Sequence, residues 1–324
     1  MSKPILGIDV SKLDLSISLL IDKKHYATKI DNNQQGFKSL NNWLNKHGVK
    51  KVLACMESTG SYGKSFANFL HKSDHEVSVV NPLCIHAFAK SKLSRHKTDK
   101  VDSMLIAEYA SKNDLPRYIP KKESLQELQD LYHCLQNLKE QYNQIQNYLE
   151  NKDHLSQLVC NSYSNLTAHI TTEIENIELE IDKFLDNNPE EKEKVDNMKT
   201  IPGVGKLTAI AVLAEVPNLN SFNNARELAA YAGLTPKHKS SGTSVKGKSS
   251  ISKIGSTKLR KALYFPAIVA KKHNPMFCSF AQKLLSKGKP KKVVIVAIMR
   301  KLLHVIFGVI KNKTQFDPNF VVDS

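Results

Sequence analysis

The chain of 324 residues is long enough for two or three domains, and 41% of it is apolar, an ordinary share for a soluble protein. Its five cysteines, Cys55, Cys84, Cys134, Cys160 and Cys278, are scattered and without a C-x-x-C pair, which excludes a disulfide framework and a zinc site and makes them small buried hydrophobes. The net charge of +16 is local: residues 228–316 contain no acid but 19 of the 47 Lys and Arg residues, leaving 47 − 19 = 28 bases against 31 acids elsewhere. A polyanionic partner, nucleic acid before membrane surface, is the simplest cause.

Lys3 to Ser11 reads as a short strand with Asp9 near its end, followed by strands over Asp14–Ile21 and His25–Ile30. Links this short make an antiparallel meander. Phe37, Leu40, Trp43 and Leu44 keep helical spacing, and Lys51–Met56 is a buried strand ending at Glu57. A helix over Tyr62–Lys72, a strand over Val77–Val80 and a helix from Pro82 follow. Thr98 then caps a helix through Tyr109, with Asp99 and Asp102 three residues apart on its first turn. Two acids there suit a helix dipole, and equally a divalent cation with a preference for hard oxygen ligands.

The order β-β-β-α-β-α-β-α-α is the ribonuclease-H-like arrangement. In it the strands carrying Asp9 and Glu57 are parallel neighbours, and the helix carrying Asp99 and Asp102 packs across the same edge. Four acids are expected to converge on two Mg²⁺ (or Mn²⁺) ions and, through them, on a phosphate.

From Pro120 the pattern changes. Leu128, Leu131, Leu135, Leu138, Tyr142, Ile145 and Leu149 form a heptad seam, and Ile170, Ile174, Ile177, Ile181 and Phe184 a second stripe, stopped by Asn187-Asn188-Pro189. This reads as an α-helical coiled-coil hairpin suited to a homodimer or tetramer. Ile201-Pro202-Gly203-Val204-Gly205-Lys206 resembles a helix-hairpin-helix turn whose N–H groups suit a backbone phosphate; an ordinary helix-helix turn is the alternative. It is no nucleotide-binding loop, since Leu207 replaces the hydroxyl residue that would hold Mg²⁺. Lys237 to Lys248 is a small, polar, basic loop, in which a serine beside glycine is either a nucleophile toward a phosphodiester or ordinary loop composition. Helices over Lys258–Lys271 and Val293–Ile310 form the core that holds it. The apolar run Lys292–Met299 is too short to span a bilayer and the N-terminus lacks a signal-like segment, so a cytoplasmic protein is expected.

Gly7-Ile8-Asp9-Val10-Ser11, Met56-Glu57-Ser58-Thr59-Gly60, Lys97-Thr98-Asp99-Lys100-Val101-Asp102, Ile201-Pro202-Gly203-Val204-Gly205 and Ala232-Gly233-Leu234-Thr235-Pro236 through Ser240-Ser241-Gly242-Thr243 resemble, in this order, the motifs of the DEDD-type insertion-sequence transposases. The resemblance covers nearly the whole chain. It implies a RuvC-like catalytic domain (1–119) and a mostly α-helical C-terminal transposase domain (191–324), on either side of the hairpin (120–190) read from the apolar spacing. Asp9, Glu57, Asp99 and Asp102 match the family's metal tetrad, and Ser241, with Ser240 as its neighbour, the serine that attacks DNA and forms a covalent link. The serine would come from the other domain, in the same or another protomer. Element DNA and a bridge RNA guide are the implied partners, with Arg95, Lys97, Gly203, Gly205, Lys206, Lys246 and Lys248 as candidate nucleic-acid contacts. The implied activity is excision and insertion of the chain's own element. Alternatives are a Holliday-junction resolvase or structure-specific nuclease using metal-activated water, and a noncatalytic nucleic-acid-binding protein.

Overall fold

The computed structural model describes residues 3–58, 60, 62–92, 98–150, 154–216, 218–237, 240–241, 245–246 and 250–318. The chain divides into two compact units, Met1–Pro120 and Lys121–Ser324.

In the first unit, β1 (Ile5–Val10), β2 (Asp14–Ile21) and β3 (Lys24–Asp31) pair antiparallel in succession. Asp22 and Lys23 both take left-handed angles, φ 44° and 69°, as a two-residue hairpin turn requires. Helix α1 (Gln34–Lys46) follows, its N-terminus capped by the Asn33 side chain, which accepts from Gly36 N–H at 2.9 Å. β4 (Leu53–Glu57) then pairs parallel to β1; after α2 (Lys64–Lys72), β5 (Glu76–Val80) pairs parallel to β4. The sheet order is β3-β2-β1-β4-β5. Two further helices, α3 (Pro82–Ser91) and α4 (Asp99–Lys112), complete the expected succession. The mixed sheet is compatible with a ribonuclease-H-like domain.

Alternation sorts side chains to two faces. Leu6, Ile8, Ala54 and Met56 pack with Phe37, Leu40, Phe66 and Leu70 of α1 and α2, whereas Cys55 and Val80 pack with Ile85, Ile106 and Ala110 of α3 and α4. Gly7 belongs to the second face. A Cβ on it would stand 2.1 Å from Ser103 O and 2.4 Å from Ala107 N, both backbone atoms of α4. Gly7→Ala is therefore expected to push α4 off the sheet, costing about 1–3 kcal/mol or more. A fall in thermal midpoint checks this; an unchanged midpoint would show that α4 does not lie on β1 so closely.

His75, buried between α2 and β5, has no hydrogen-bond partner at Nδ1 among the described residues. Burial, and to a lesser degree Lys51, holds its pKa below 6.5, against the opposite pull of Asp74. The unfolded chain then takes up the proton more readily, so this histidine's effect is neutral above pH 6.5 and destabilising as pH falls below it. The thermal midpoint is expected to drop between about pH 7.5 and 5.5, and the drop to shrink in His75→Gln. An equal drop in that variant would assign the loss elsewhere.

In the second unit, α5 (Glu123–Leu149) and α6 (Gln157–Asn187) pack against each other. Lys139 meets Glu178 at 2.7 Å and Tyr148 meets Tyr163 at 5.0 Å between ring centroids, so they run antiparallel. Only the base of the expected seam is fully buried. Leu128 and Leu135 join Ile181 and Phe184 in the main core, while Leu138, Tyr142, Ile145 and Leu149 stay half-buried. Helices α7 (Pro189–Lys199), α8 (Lys206–Glu215) and α9 (Ala225–Tyr231) follow. Four two-residue strands come next: β6 (Pro236–Lys237), β7 (Ser240–Ser241), β8 (Val245–Lys246) and β9 (Ser250–Ile251). The unit ends with α10 (Thr257–Ala262), α11 (Tyr264–His273), α12 (Pro275–Ser286) and α13 (Lys291–Asn312).

Several expectations need correction. The helix over Lys258–Lys271 is two helices, because Pro266 lacks the N–H that a continuous helix would bond to Ala262 O. Helix α12 was not anticipated, although Asn274-Pro275 is a start signal and the Asn274 side chain does cap it, accepting from Met276 N–H at 3.1 Å. The basic loop over 237–248 contains paired backbone. The run Lys292–Met299 lies inside the 22-residue α13, which by length and composition alone reaches membrane-spanning size; 61% of its apolar window is buried within the protein, as befits a core helix. Of the five cysteines only Cys55 is buried; Cys84 and Cys134 are exposed, on the solvent sides of α3 and α5.

Candidate active site

The C-terminal ends of the central strands bring the first two acids together. Ile8 pairs with Met56 across the parallel β1–β4 ladder, so Asp9 and Glu57 occupy the next adjacent positions. Asp9 shares the parity of Gly7 and Glu57 that of Cys55, which places both on the sheet face covered by α4. Burial, with the charge of Glu57 adding to it, pushes the Cys55 thiol up to about 12. Both acids are half-buried.

Thr98 caps α4, its hydroxyl accepting from Val101 N–H at 3.3 Å, and this sets Asp99 and Asp102 in the first turn. Asp99 is exposed and Asp102 half-buried. Asp9 pairs with Ser16, and Ser16 with Lys29, so one row crosses the sheet from Glu57 to Lys29. The lysine's pKa is raised, chiefly by its hydrogen bond to Asp14, with Asp99 contributing. The first turn of α4 thus lies within electrostatic reach of the row that holds Asp9.

Four carboxylates are a donor set that a hard divalent cation prefers, and two of them, Asp9 and Glu57, are neighbours across the sheet. Among the described residues, however, no three His, Cys, Asp or Glu side chains stand close enough to hold a metal ion. Mutual repulsion of carboxylates opposes closure without a cation between them.

In the second unit the motif Ala232 to Pro236 forms a fixed base. Arg260 Nη1 donates to Ala232 O at 2.8 Å, Lys253 N–H to Gly233 O at 3.1 Å and Ser252 N–H to Thr235 O at 2.8 Å. Beyond it β6 pairs with β9, then Ser240 with Lys246 and Ser241 with Val245. Ser241 is the last described residue before the connection 242–244. Tyr231 at the base donates its hydroxyl to Glu215 O at 3.0 Å; burial, then the Glu215 charge, raise its pKa to about 12. Glu215 also meets His133 at 2.5 Å, tying α8 to α5.

The candidate nucleic-acid contacts divide. Arg95, Lys97 and Lys248 lie outside the described residues, and Lys246 is placed in β8. Gly203 has φ +101°, and a Cβ there would stand 2.7 Å from Ala270 of α11. Close packing is thus sufficient reason for this glycine, and it favours the helix-helix turn. Gly205, the N-cap residue of α8, is exposed with open space around it, while Lys206 is ion-paired to Asp182.

Comparison with known proteins covers both units. Residues 6–160 match the DEDD-type model of the IS110 transposases, described simply as a transposase, and residues 195–282 match the model described as the transposase IS116/IS110/IS902 family. The pilin gene-inverting protein of Moraxella bovis is 35% identical over 320 residues, 98% of each chain, and its namesake from Moraxella lacunata matches to the same extent. The transposase for insertion sequence element IS1328 of Yersinia enterocolitica is 25% identical over 224 residues, 61% of this chain and 64% of that one.

Proposed function

From the premise that this chain belongs to the IS116/IS110/IS902 transposase family and is a DNA transposase or recombinase, we propose that it excises and inserts its own mobile element, with Ser241 as the nucleophile. The observation that carries the catalytic assignment is the β1–β4 register, which sets Asp9 beside Glu57 under the helix of Asp99 and Asp102. A DEDD-type domain implies dependence on a divalent metal in general. Held by these four carboxylates, Mg²⁺ or Mn²⁺ would supply Lewis-acid activation of a scissile phosphate.

Ser241 Oγ attacks phosphorus, a P–O bond to one strand end breaks, and the displaced oxygen takes a proton. One P–O ester bond replaces another, so the strand end is stored covalently and is rejoined without ATP. A fixed base with a serine near the connection of a short hairpin supports this role for Ser241. Self-association through α5 and α6 is supported by Leu158 and Leu179, 80% and 58% exposed on α6. Guidance by a bridge RNA is part of the same proposal.

The near full-length match to two pilin gene-inverting proteins favours a second reading, inversion of a flanked segment. Both outcomes use one chemistry and differ in the relative orientation of the two recombining sites. A plasmid carrying paired element junctions, direct or inverted, tests this together with the guide. Recombination is expected only when the element's noncoding transcript is present; products that persist without it would remove the RNA from the proposal.

A further inference from the structure

Helix α13 has a half-exposed face on which cations recur with helical spacing. Arg300 and His304 stand one turn apart, with Lys301 beside them, and α9 packs along the same helix. Residues 228–316 contain no carboxylate, and the acid next to Arg226, Glu227, is turned back to cap its own helix, accepting from Asn223 N–H at 3.0 Å. Arg226 is exposed, and among the described residues its guanidinium has no ion-pair partner. Lys301 Nζ rests 4.8 Å over the Phe280 ring. Arg300 Nε and His304 Nε2 are buried atoms without a hydrogen-bond partner among the described residues.

Such an arrangement is costly as it stands. Buried donors ordinarily find acceptors, and clustered cations ordinarily find a counter-charge. Burial, then Arg300, Arg226 and Lys301 in that order, hold the His304 pKa below its usual value. An anion with several acceptor oxygens would match the exposed charge of this face. One turn beyond His304 stands Gly308, where an added Cβ would meet nothing within 4 Å, and Lys311 follows near the end of the helix. There is thus open space over the turn that follows His304.

We infer that Arg300 and His304 of α13, with Arg226 of α9, form a seat for a backbone phosphodiester of the nucleic acid on which the protein acts. The inference rests on the recombinase reading and adds residues to it. The arginines supply charge-assisted hydrogen bonds and the imidazole a further donor. The contact carries no base preference, so its signature is salt dependence. Each duplex phosphate contact contributes about 0.9 to the slope of log K against log salt, and each single-strand contact about 0.7.

The test is fluorescence anisotropy of the full chain with a labelled DNA duplex and a labelled RNA of arbitrary sequence, across a salt series. Arg226→Gln and Arg300→Gln/His304→Gln are each compared with the native chain and with Lys46→Gln, which removes a charge from α1. Each seat variant is expected to weaken binding several-fold and lower the slope by about one, more than Lys46→Gln does. A change confined to the duplex assigns the seat to DNA, and one confined to the other probe assigns it to RNA. Arg226 is exposed, so that variant decides alone if the double variant does not fold. Unchanged slopes on both probes, with the native chain binding normally, overturn the seat and leave the recombinase reading intact. A native chain that binds neither probe overturns both.

Discussion

Ser241→Ala is expected to abolish the protein–DNA adduct and to lower recombination on the order of 10⁴-fold or more, the scale of losing a covalent nucleophile. Ser240→Ala is expected to retain both. In a strand consecutive residues alternate in face, and one serine, rather than either of two, is expected to carry the reaction. Denaturing electrophoresis of labelled junction DNA with Mg²⁺ and the element's noncoding RNA makes the comparison. An adduct that survives denaturant in the native chain and in Ser240→Ala but is absent in Ser241→Ala assigns the nucleophile. The reverse pattern moves it one residue back. Strand cleavage persisting in both variants, with no adduct in any lane, would instead mean that water is the nucleophile and that the chain works as a nuclease.

Asp9→Asn and Asp102→Asn are expected to cut strand cleavage by roughly 10²- to 10³-fold or more while leaving DNA binding in place, as loss of charge stabilisation at a reacting phosphate does. Each substitution is nearly isosteric, so the effect is one of charge. A second readout needs no DNA. An ion bound only by the folded state raises stability by about 2.7 kcal/mol at a hundredfold excess over its Kd, so Mn²⁺ is expected to raise the thermal midpoint of the native chain and not that of Asp9→Asn. Asp102→Asn tests the contribution of α4 in the same way. Unaltered cleavage in both variants, or an equal Mn²⁺ shift in all three proteins, would show that the acids belong to helix and strand ends alone.

Asp9 and Glu57 are neighbours across the β1–β4 ladder, and mutual repulsion opposes closer approach of such carboxylates without a cation between them.

Much of the first unit was legible because its signals are local. The apolar run over Lys3–Ser11, the partial alternation over Asp14–Ile21, the short links between strands and the Thr98 cap each concern neighbours in sequence, and element order alone then restricts the sheet to few topologies. The basic C-terminal stretch was equally plain, since charge is a property of composition. The break at Pro266 was legible in principle. The buried state of α13 was less so, because its apolar length is the same for a core helix and a membrane span, and only its packing against α9, α11 and α12 separates them.

The sequence by itself determined the strand order of the first unit, the capped pair Asp99 and Asp102, the helical hairpin and the concentration of positive charge. Tertiary structure decided what depends on residues far apart in the chain. It assigned Gly7 to close contact with Ser103 and Gly203 to close contact with Ala270, tied Arg260 to the base of the serine hairpin, and left Arg300 Nε and His304 Nε2 without a hydrogen-bond partner among the described residues. The reason is physical: propensity, capping and charge act over a few residues, whereas steric approach and the satisfaction of buried polar groups are settled only when distant segments meet.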